Sequence, residues 1–434
     1  MGKVVLLTQT GDGVRACASA ARISTTGGGA AGQFTSEHDA AKDLSLVKKV
    51  LKSGHQSIFE HHTCFVGFED VSVAVEQFVI EARLGSYTVK SRRYVDFTGA
   101  GYVVPEDLAG AQRDSYTALM EKLFALYAKL LEGGISREDA RFVLPYCFCS
   151  NFYMTMNARE LCRLIAQMTV GRGSANTEIR TLGESLKAQF EETWPGVMNL
   201  LTAGMQPPKP YDEAKLLAEV ECKEAVPSVK LTQTAPDAEK QLREMMDFCG
   251  RAPEMTFADL VRDPRPRELE FLQYGFAVEN VSLACVTHFT RHRIQSILIG
   301  DVRDALAEGR VIVPDAVREQ PELYAEYCAA FRESREVCRG LLADGMPCEY
   351  AAYFALAGYT LPLRISMNAR ELALFLRLRT CERAQWEIRR LARDLLKQLR
   401  TDAPGVFGAF GPGCLSLGKC PEGRLSCGHP PVDL

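Results

Sequence analysis

One stretch of the chain places a polar residue at each end of an apolar stripe. Intervals of four, three and four positions separate Asn368, Leu372, Phe375 and Arg379, which puts all four on one face of a helix. On such a helix the two ends of the stripe are about 16 Å apart. An amide at one end and a guanidinium at the other could face one elongated ligand. A core helix with polar ends has the same pattern, so this face alone leaves both interpretations open.

The motif that begins this stripe occurs twice. Residues 156–161 and 367–372 both read Met-Asn-Ala-Arg-Glu-Leu, and residues 7–10 and 231–234 both read Leu-Thr-Gln-Thr. Most of one half can be aligned with the other through these anchors, which indicates an internal duplication. The chain is therefore expected to contain two similar domains.

Composition is that of an ordinary globular protein, with 47% hydrophobic and 24% charged residues among 434. A net charge of −4 gives no general attraction to nucleic acid or anionic membranes. The apolar run at the N-terminus is too short for a signal peptide, and no stretch approaches the roughly 20 apolar residues of a membrane span. We expect a cytoplasmic location and reduced thiols at the 15 cysteines.

The domain boundary is expected in a proline-rich linker. Residues 206–227 begin with repeated prolines and end in another, which prevents a helix from running through. The predicted domains are residues 1–205 and 228–434. Two similar domains in one chain should pack as a pseudo-symmetric dimer, with function across the joint.

Each half shows the same order of elements. A short apolar strand, at residues 4–7 and again at 229–231, precedes helical segments and a second apolar segment that leads to the duplicated motif. A long amphipathic helix lies between, and glycines at 133 and 134 should end the first copy. We therefore predict an α+β fold with helix in excess. The helical faces consist of Tyr116, Leu119, Leu123, Tyr127 and Leu130 in the first half, and of Leu323, Tyr327, Phe331 and Val337 in the second.

Four segments, in this order, resemble a known family. They are residues 54–61 (Gly-His-Gln-Ser-Ile-Phe-Glu-His), the Arg-His-Arg at 291–293, residues 378–389, and the tail at 420–428. Together they are similar to motifs of the flavin-dependent thymidylate synthases. The resemblance covers nearly the whole chain twice, apart from the linker. It implies two tandem thymidylate-synthase-complementing-protein-like domains.

The resemblance also implies an activity. Family members use FAD and NADPH to move a methylene group from methylenetetrahydrofolate to deoxyuridine monophosphate (dUMP), giving dTMP. They are homotetramers whose sites are shared between subunits, so this tandem chain would form a homodimer that acts as a pseudo-tetramer. Neither a nucleic acid nor a membrane is expected as a partner.

Site residues are carried over from the family motifs position by position. Arg379 resembles the arginine that activates uracil and is the expected catalytic residue. The residues expected to bind the nucleotide are Ser91, Arg92, Arg93, Arg141, His288, Arg291 and Arg379. Those expected to bind the flavin are His61, Thr63, Arg291, His292, Arg293, Asn157, Asn368 and Arg370. No metal is expected.

The two halves have kept different parts of this set. The first half has Glu81 where the second has Arg291, and Met168 where the second has Arg379. Conversely, the second half has Asp301 in place of Ser91 and Ala352 in place of Arg141, and no function is missing from both. In the family, each site combines these two groups from neighbouring subunits. One composite site per chain can therefore be complete, and its pseudo-symmetric twin should not bind a nucleotide.

The residue types suit this chemistry. A nucleotide monophosphate is a dianion, and the planar fork of arginine binds phosphate oxygens through paired, charge-assisted hydrogen bonds. A guanidinium beside uracil can stabilise the negative charge that develops as the ring becomes nucleophilic. No cysteine nucleophile is then required.

Each residue taken alone has a simpler explanation. His61 could be a structural histidine, Arg92 and Arg93 a solvated pair, and the Arg-His-Arg a complement to a helix dipole. Cysteines 414, 420 and 427 with His429 could form a zinc knuckle, although the spacings are not of the short Cys-x-x-Cys kind.

Two departures from the family leave the substrate open. His288 stands where a glutamine often reads the base, and Leu374 where a polar flavin contact is common. The alternatives are therefore a degenerate paralogue that binds flavin or nucleotide without turnover, or an enzyme that modifies a different pyrimidine nucleotide.

Overall fold

The computed structural model describes residues 2–431, which form an α+β fold. The strands are β1 (Lys3–Gln9), β2 (Thr63–Ser72), β3 (Gly85–Val89), β4 (Cys149–Asn157), β5 (Lys223–Glu224), β6 (Ser228–Gln233), β7 (Gln273–Ser282), β8 (Gln295–Ile299), β9 (Arg310–Val311) and β10 (Thr360–Asn368). The α-helices are α1 (Gly13–Ile23), α2 (Ala30–Thr35), α3 (Ala40–Lys52), α4 (Val73–Ile80), α5 (Gly110–Glu132), α6 (Arg137–Ala140), α7 (Ala158–Thr169), α8 (Thr177–Glu191), α9 (Val197–Thr202), α10 (Ala214–Leu217), α11 (Ala238–Phe248), α12 (Phe257–Arg262), α13 (Leu283–Thr290), α14 (Val302–Glu308), α15 (Asp315–Arg318), α16 (Pro321–Ala343), α17 (Ala369–Arg379), α18 (Trp386–Asp402), α19 (Pro404–Phe407) and α20 (Gly413–Ser416). Short 3₁₀ helices occupy Gln56–His61, Arg141–Val143, Arg172–Ala175, Arg267–Phe271, Cys348–Phe354 and Gly423–Leu425.

The chain divides into two compact units, and each includes a short segment from the other half of the sequence. Unit 1 consists of Met1–Glu132, Leu144–Leu217 and Glu336–Phe354. Unit 2 consists of Gly133–Val143, Ala218–Arg335 and Ala355–Leu434. The main break, after residue 217, lies inside the predicted linker. The exchanged segments were not expected from the sequence.

The core of unit 1 is an antiparallel sheet in the order β1-β2-β4-β3. Along β4 most alternate residues are buried, including Phe152, Met154 and Met156, as expected for a strand with one face on a core. Helices α7 and α8 contribute Leu161 and Leu186 to the same core. The strand predicted at residues 4–7 is confirmed within β1.

Unit 2 repeats this arrangement. Its sheet has the order β6-β7-β10-β8, again antiparallel, so every strand has a counterpart in unit 1. The strand predicted at 229–231 is confirmed within β6. Helix α18 lies against β6 and α17, as α8 lies against β1 and α7. The duplication inferred from sequence is therefore present in the topology as well.

The long helix between strands is also confirmed. Helix α5 buries Tyr116, Leu119, Leu123, Tyr127 and Leu130, the face that the helical spacing predicts. It ends at residue 132, before the two glycines. The second of these has φ of 81°, a left-handed conformation that glycine adopts without steric cost. Its counterpart is α16, in which Leu323, Tyr327 and Phe331 are buried and Val337 is partly buried.

The duplicated motif begins a helix in both units. Asn157 and Asn368 are the N-cap residues of α7 and α17, and their side-chain oxygens accept hydrogen bonds from the backbone N–H of Glu160 (3.0 Å) and Glu371 (2.8 Å). The apolar members of the stripe on α17, of which Phe375 is one, are buried. Asn368 therefore caps the N-terminus of α17, and Arg379 is the last residue of that helix.

Two further features concern the described residues as a whole. None of their helices is long and apolar enough to cross a membrane. All fifteen cysteines lie in this part of the chain and are free thiols. Burial raises the pKa of two of them, Cys17 and Cys64, to about 12.

Candidate functional site

The Arg-His-Arg motif forms the turn between α13 and β8 in unit 2. Arg291 is the C-cap residue of α13, and both arginines of the motif are exposed, whereas His292 is buried. The side-chain amide of Gln295 donates to the carbonyls of Phe289 (2.6 Å) and His292 (2.8 Å). These bonds satisfy carbonyls that the end of a helix leaves open, and they fix the turn.

His292 lies between an acid and an arginine. Its Nδ1 is 2.9 Å from Oε1 of Glu371, at the start of α17, and its Nε2 is 3.2 Å from Nε of Arg379, at the end of the same helix. The imidazole also packs edge-on against the ring of Phe375, with centroids 5.1 Å apart. The four residues form one connected group, called here the arginine clamp: His292, Glu371, Phe375 and Arg379.

The environment favours a neutral His292. Burial lowers its pKa below the usual value, and the charges of Arg379 and Arg291 act in the same direction. The hydrogen bond and charge of Glu371 oppose them without reversing the shift. A neutral imidazole can accept a hydrogen bond from the guanidinium, which an imidazolium cannot.

Arg141 belongs to the same unit as the arginine clamp, through the segment Gly133–Val143. It is buried, and its Nε donates to the carbonyl of Glu138 at 3.1 Å. Trp386, at the start of α18, anchors the segment: its indole N–H donates to Asp139 at 2.8 Å, and its ring lies parallel to that of Phe142. Burial raises the pKa of Asp139.

The pKa values of two buried acidic groups in unit 2, Cys285 and Glu387, are affected by these arginines. Burial raises the pKa of Cys285, on α13, and the charges of Arg141 and Arg379 oppose that rise. Burial also raises the pKa of Glu387 to about 7, and Arg141 again opposes it. Glu387 accepts hydrogen bonds from the backbone N–H (2.7 Å) and the hydroxyl of Ser282. Arg141, Arg379 and α13 thus belong to one electrostatic environment, and the thiol there is not a ready nucleophile.

The equivalent region of unit 1 has a different composition. Glu81, the C-cap residue of α4, accepts hydrogen bonds from Gln77 (3.0 Å) and from the guanidinium of Arg172. That guanidinium lies 4.6 Å from the ring centroid of Phe78, which occupies the position of His288. Met168, the counterpart of Arg379, is fully buried. In this region unit 1 has the ion pair of Glu81 with Arg172, whereas unit 2 has an exposed and a partly buried arginine, Arg291 and Arg379.

The turn itself is held by another side chain in unit 1. The hydroxyl of Tyr87 donates to the carbonyl of Ala82, which is the counterpart of the His292 carbonyl. The amide of Gln295 serves that purpose in unit 2. Both units therefore satisfy the same backbone group, but with side chains from different positions.

The predicted phosphate loop lies in unit 1, after β3. The hydroxyl of Ser91 accepts a hydrogen bond from the backbone N–H of Arg93 (3.3 Å), and Arg93 lies over the ring of Tyr94. Arg92 is buried, pairs with the buried carboxylate of Glu76 and lies 5.6 Å from the ring of Phe148. The charge of Arg92 is thus already compensated inside the unit, whereas Arg93 is partly exposed.

The second copy of this loop has become a helix. Asp301 caps α14, accepting from the backbone N–H of Arg303 at 2.8 Å, and its carboxylate also pairs with the Arg303 guanidinium at 2.7 and 3.0 Å. Acid and base neutralise each other within two residues. This loop offers no uncompensated charge to a phosphate.

The remaining residues predicted to bind flavin fall into two groups. His61 and Thr63 are exposed, and the Thr63 hydroxyl lies 3.1 Å from that of Thr10. Arg370 pairs with Glu270, as Arg159 pairs with Glu60 in the first copy. These ion pairs join the motif helix to the preceding 3₁₀ helix in each unit. His288 is buried in the last turn of α13.

Sequence reasoning missed the acid that holds His292. Glu371 lies inside the duplicated motif, so its repetition as Glu160 was a visible signal. Its partner could not be read from the chain because 79 residues separate it from His292. Trp386 lies in the family-like segment 378–389 and Asp139 lies two residues before Arg141, but nothing in the sequence showed that they contact each other.

Comparison with known proteins places the chain in a family. The family model for the thymidylate synthase complementing protein matches residues 5–196 and again residues 219–405. The two matches together cover most of the chain, which therefore belongs to this family and carries its domain twice. The resemblance and the tandem duplication predicted from sequence are confirmed.

Individual relatives match about one domain. A flavin-dependent thymidylate synthase of Geobacter sulfurreducens is 37% identical over 163 residues, which are 37% of this chain and 70% of that protein. One from Thermococcus onnurineus is 34% identical over 166 residues, 36% of this chain and 68% of the relative. Among solved structures, a UMP/dUMP methylase from Streptomyces cacaoi with 5-Br dUMP bound is 24% identical, with a TM-score of 0.40, covering 48% of this chain and 98% of its own.

Proposed function

We propose that the protein is a flavin-dependent thymidylate synthase that converts dUMP to dTMP with methylenetetrahydrofolate and NADPH. The proposal places the uracil ring at Arg379 of the arginine clamp. The observation that carries it is the asymmetry between the units. Unit 2 gathers Arg379, Arg141 and Arg291 around α13, whereas the counterparts in unit 1 are Met168, Ala352 and a glutamate already paired with an arginine.

Arg379 supplies what the reaction needs from the protein. A guanidinium fixed beside the ring stabilises negative charge on uracil, which makes C5 nucleophilic. The C5 hydrogen leaves as a proton and a methyl group takes its place. The methylene carbon of the folate and a hydride from NADPH form that methyl, a solvent proton balances the charge, and tetrahydrofolate and NADP⁺ leave.

The residues of unit 2 suit an FAD. Arg291 and Arg293 are exposed on one turn, and two guanidinium groups there match the charge of a diphosphate. His61 and Thr63 offer exposed polar groups in unit 1. Asn157, Asn368 and Arg370 make bonds within their own units, so any bond to flavin would be additional to these. When bound, FAD carries the reducing equivalents from NADPH to the transferred carbon.

The nucleotide phosphate is proposed to bind Arg141 together with the loop Ser91–Arg92–Arg93. The contribution of this loop rests on the sequence, because the two halves kept complementary motif residues. Within the loop, Arg93 is better suited than Arg92, whose charge Glu76 compensates. A single nucleotide per chain is expected, since the twin set has Glu81, Met168, Asp301 and Ala352 in place of Arg291, Arg379, Ser91 and Arg141. We further propose a homodimer, with a mass in light scattering of twice 48.0 kDa.

The test is identification of the product by mass spectrometry. Purified protein with FAD, NADPH and methylenetetrahydrofolate should convert dUMP to dTMP. Parallel reactions with other pyrimidine nucleotides test the effect of His288, which stands where the family often has glutamine. If the product formed from another uridylate, that nucleotide would replace dUMP as the proposed substrate. A protein that binds FAD or dUMP and forms no product would be a degenerate paralogue.

A further inference from the structure

The arginine clamp uses both nitrogens of His292 inside the protein. A carboxylate only accepts hydrogen bonds, so the 2.9 Å contact with Glu371 requires a proton on Nδ1. The Nε of an arginine only donates, so the 3.2 Å contact with Arg379 requires a lone pair on Nε2. One neutral tautomer satisfies both contacts, and it leaves no ring N–H to donate to a flavin.

We propose that His292 and Glu371 are positioning residues for Arg379, and that His292 acts as the neutral Nδ1–H tautomer. This inference rests on the proposed function, in which Arg379 acts on the uracil ring. It gives His292 a different role from the cofactor contact that the family resemblance implied. Glu371 had no assigned role.

Burial makes the contact rigid. The side chains of His292 and Glu371 are only 2% and 7% exposed, and Phe375 packs against the imidazole. Glu371 and Arg379 are eight residues apart on α17, about 12 Å along the axis. His292 lies on the turn after α13 and contacts both residues. Its Nε2 accepts a hydrogen bond from the Arg379 guanidinium. The position of the guanidinium matters because a catalytic group that is misplaced by about 1 Å loses about 100-fold in rate.

The charged groups around His292 set the pH range in which the arginine clamp stays intact. Burial, Arg379 and Arg291 lower its pKa, and Glu371 raises it. Protonation at acid pH would remove the acceptor on Nε2 and release the guanidinium. The enzyme should therefore keep its clamp at neutral pH and lose it below the ordinary histidine range.

Two substitutions of His292 separate its contacts. The amide of glutamine reaches roughly the position of Nε2, and that of asparagine roughly the position of Nδ1. His292→Asn should lower kcat about 100-fold and change KM for dUMP less than about three-fold, whereas His292→Gln should retain at least about a tenth of kcat. Glu160→Gln is the matched control for Glu371→Gln, because Glu160 is its counterpart and pairs with Arg163 at the surface. It should stay within about two-fold of wild type, and Glu371→Gln should lose about ten-fold.

Nitrogen NMR of the histidine rings tests the tautomer without turnover. In the full-length protein at neutral pH, His292 should show a protonated Nδ1 and an unprotonated Nε2. Arg379→Met should raise the His292 pKa, because the arginine lowers it. An imidazolium or an Nε2–H tautomer would overturn the proposal. So would a His292→Asn variant that loses FAD affinity but keeps kcat at saturating FAD. Absence of dTMP formation by the wild type would instead refute the proposed function, while the NMR result would still decide the state of His292.

Discussion

The two units share a scaffold and differ in what they present on it. In both, the serine before a buried helix is bonded to a buried glutamate at the start of a later helix: Ser72 with Glu178 in unit 1, Ser282 with Glu387 in unit 2. In both units a glutamate of the exchanged segment also accepts a hydrogen bond from the first backbone N–H of that later helix: Glu349 from Thr177 in unit 1, and Glu138 from Trp386 in unit 2. These contacts maintain the fold, so duplication has preserved them.

The charged residues around this scaffold have diverged. In unit 2, Arg291 is exposed and Arg379 donates a hydrogen bond to His292. In unit 1, Glu81 forms an ion pair with Arg172 instead. A structure that needs only stability neutralises its charges internally. Exposed and partly buried arginines beside a buried helix are typical of a ligand site.

Converting unit 2 to the composition of unit 1 should have the largest effect. Arg379→Met introduces the residue that unit 1 has at Met168, and it should lower kcat about 1,000-fold because a thioether cannot stabilise negative charge on uracil. The rate of dTMP formation measures this. Met168→Leu is the matched control, since it conserves volume in a buried site and should leave kcat near wild type. Equal losses from the two variants would contradict a single working site.

The shared scaffold predicts a pH-dependent stability. Burial raises the pKa of Glu387 from 4.5 to about 7, so folding favours its protonated form. That contribution is fully present below about pH 4.5 and is lost as the pH rises to about 7, by up to about 3 kcal/mol. Glu387→Gln should remove this part of the slope, as measured by urea unfolding at several pH values.

Glu178 provides the comparison for that measurement. Burial also raises its pKa, so Glu178→Gln should change the slope in the same direction. A pH dependence unchanged by either substitution would show that burial does not raise the pKa of the two carboxylates.

If the proposed function is correct, Arg141 should distinguish the units in nucleotide binding. Arg141→Ala gives unit 2 the residue found at Ala352, and it should raise KM for dUMP about 10- to 100-fold through loss of charge-assisted hydrogen bonds to phosphate. Steady-state kinetics and dUMP titration measure the change. Ala352→Ser, at the counterpart in unit 1, should leave KM unaltered; a comparable rise there would place a nucleotide in both units.

The smallest effect is expected at the ion pair of unit 1. The Glu81 and Arg172 side chains are 15% and 55% exposed, and such pairs contribute about 0–1 kcal/mol. Glu81→Gln should therefore lower the melting temperature by a few degrees at most and leave dTMP formation unchanged. A large loss of turnover would mean that unit 1 also takes part in catalysis through this region.

Much of the fold could be predicted because its signals are local. Short apolar segments indicated β1 and β6, helical spacing indicated α5, and the repeated motif indicated α7 and α17, all of which are confirmed. The family and the α+β class followed from motifs in order. The assignment of site residues stays a prediction, and for Asn368 and Arg370 the structure adds partners within the protein that the motif did not reveal.

The sequence by itself determined that the chain is a duplicated member of its family, and that each copy lost different charged residues. Residue identity and spacing carry that information without any coordinates. Only the tertiary structure decided that Gly133–Val143 belongs with unit 2, where it brings Arg141 to the environment of Arg379. It also decided that His292 is shared between Glu371 and Arg379. The physical reason is that these contacts join residues far apart in the chain, and periodicity records only which face a residue occupies, not which distant side chain it meets.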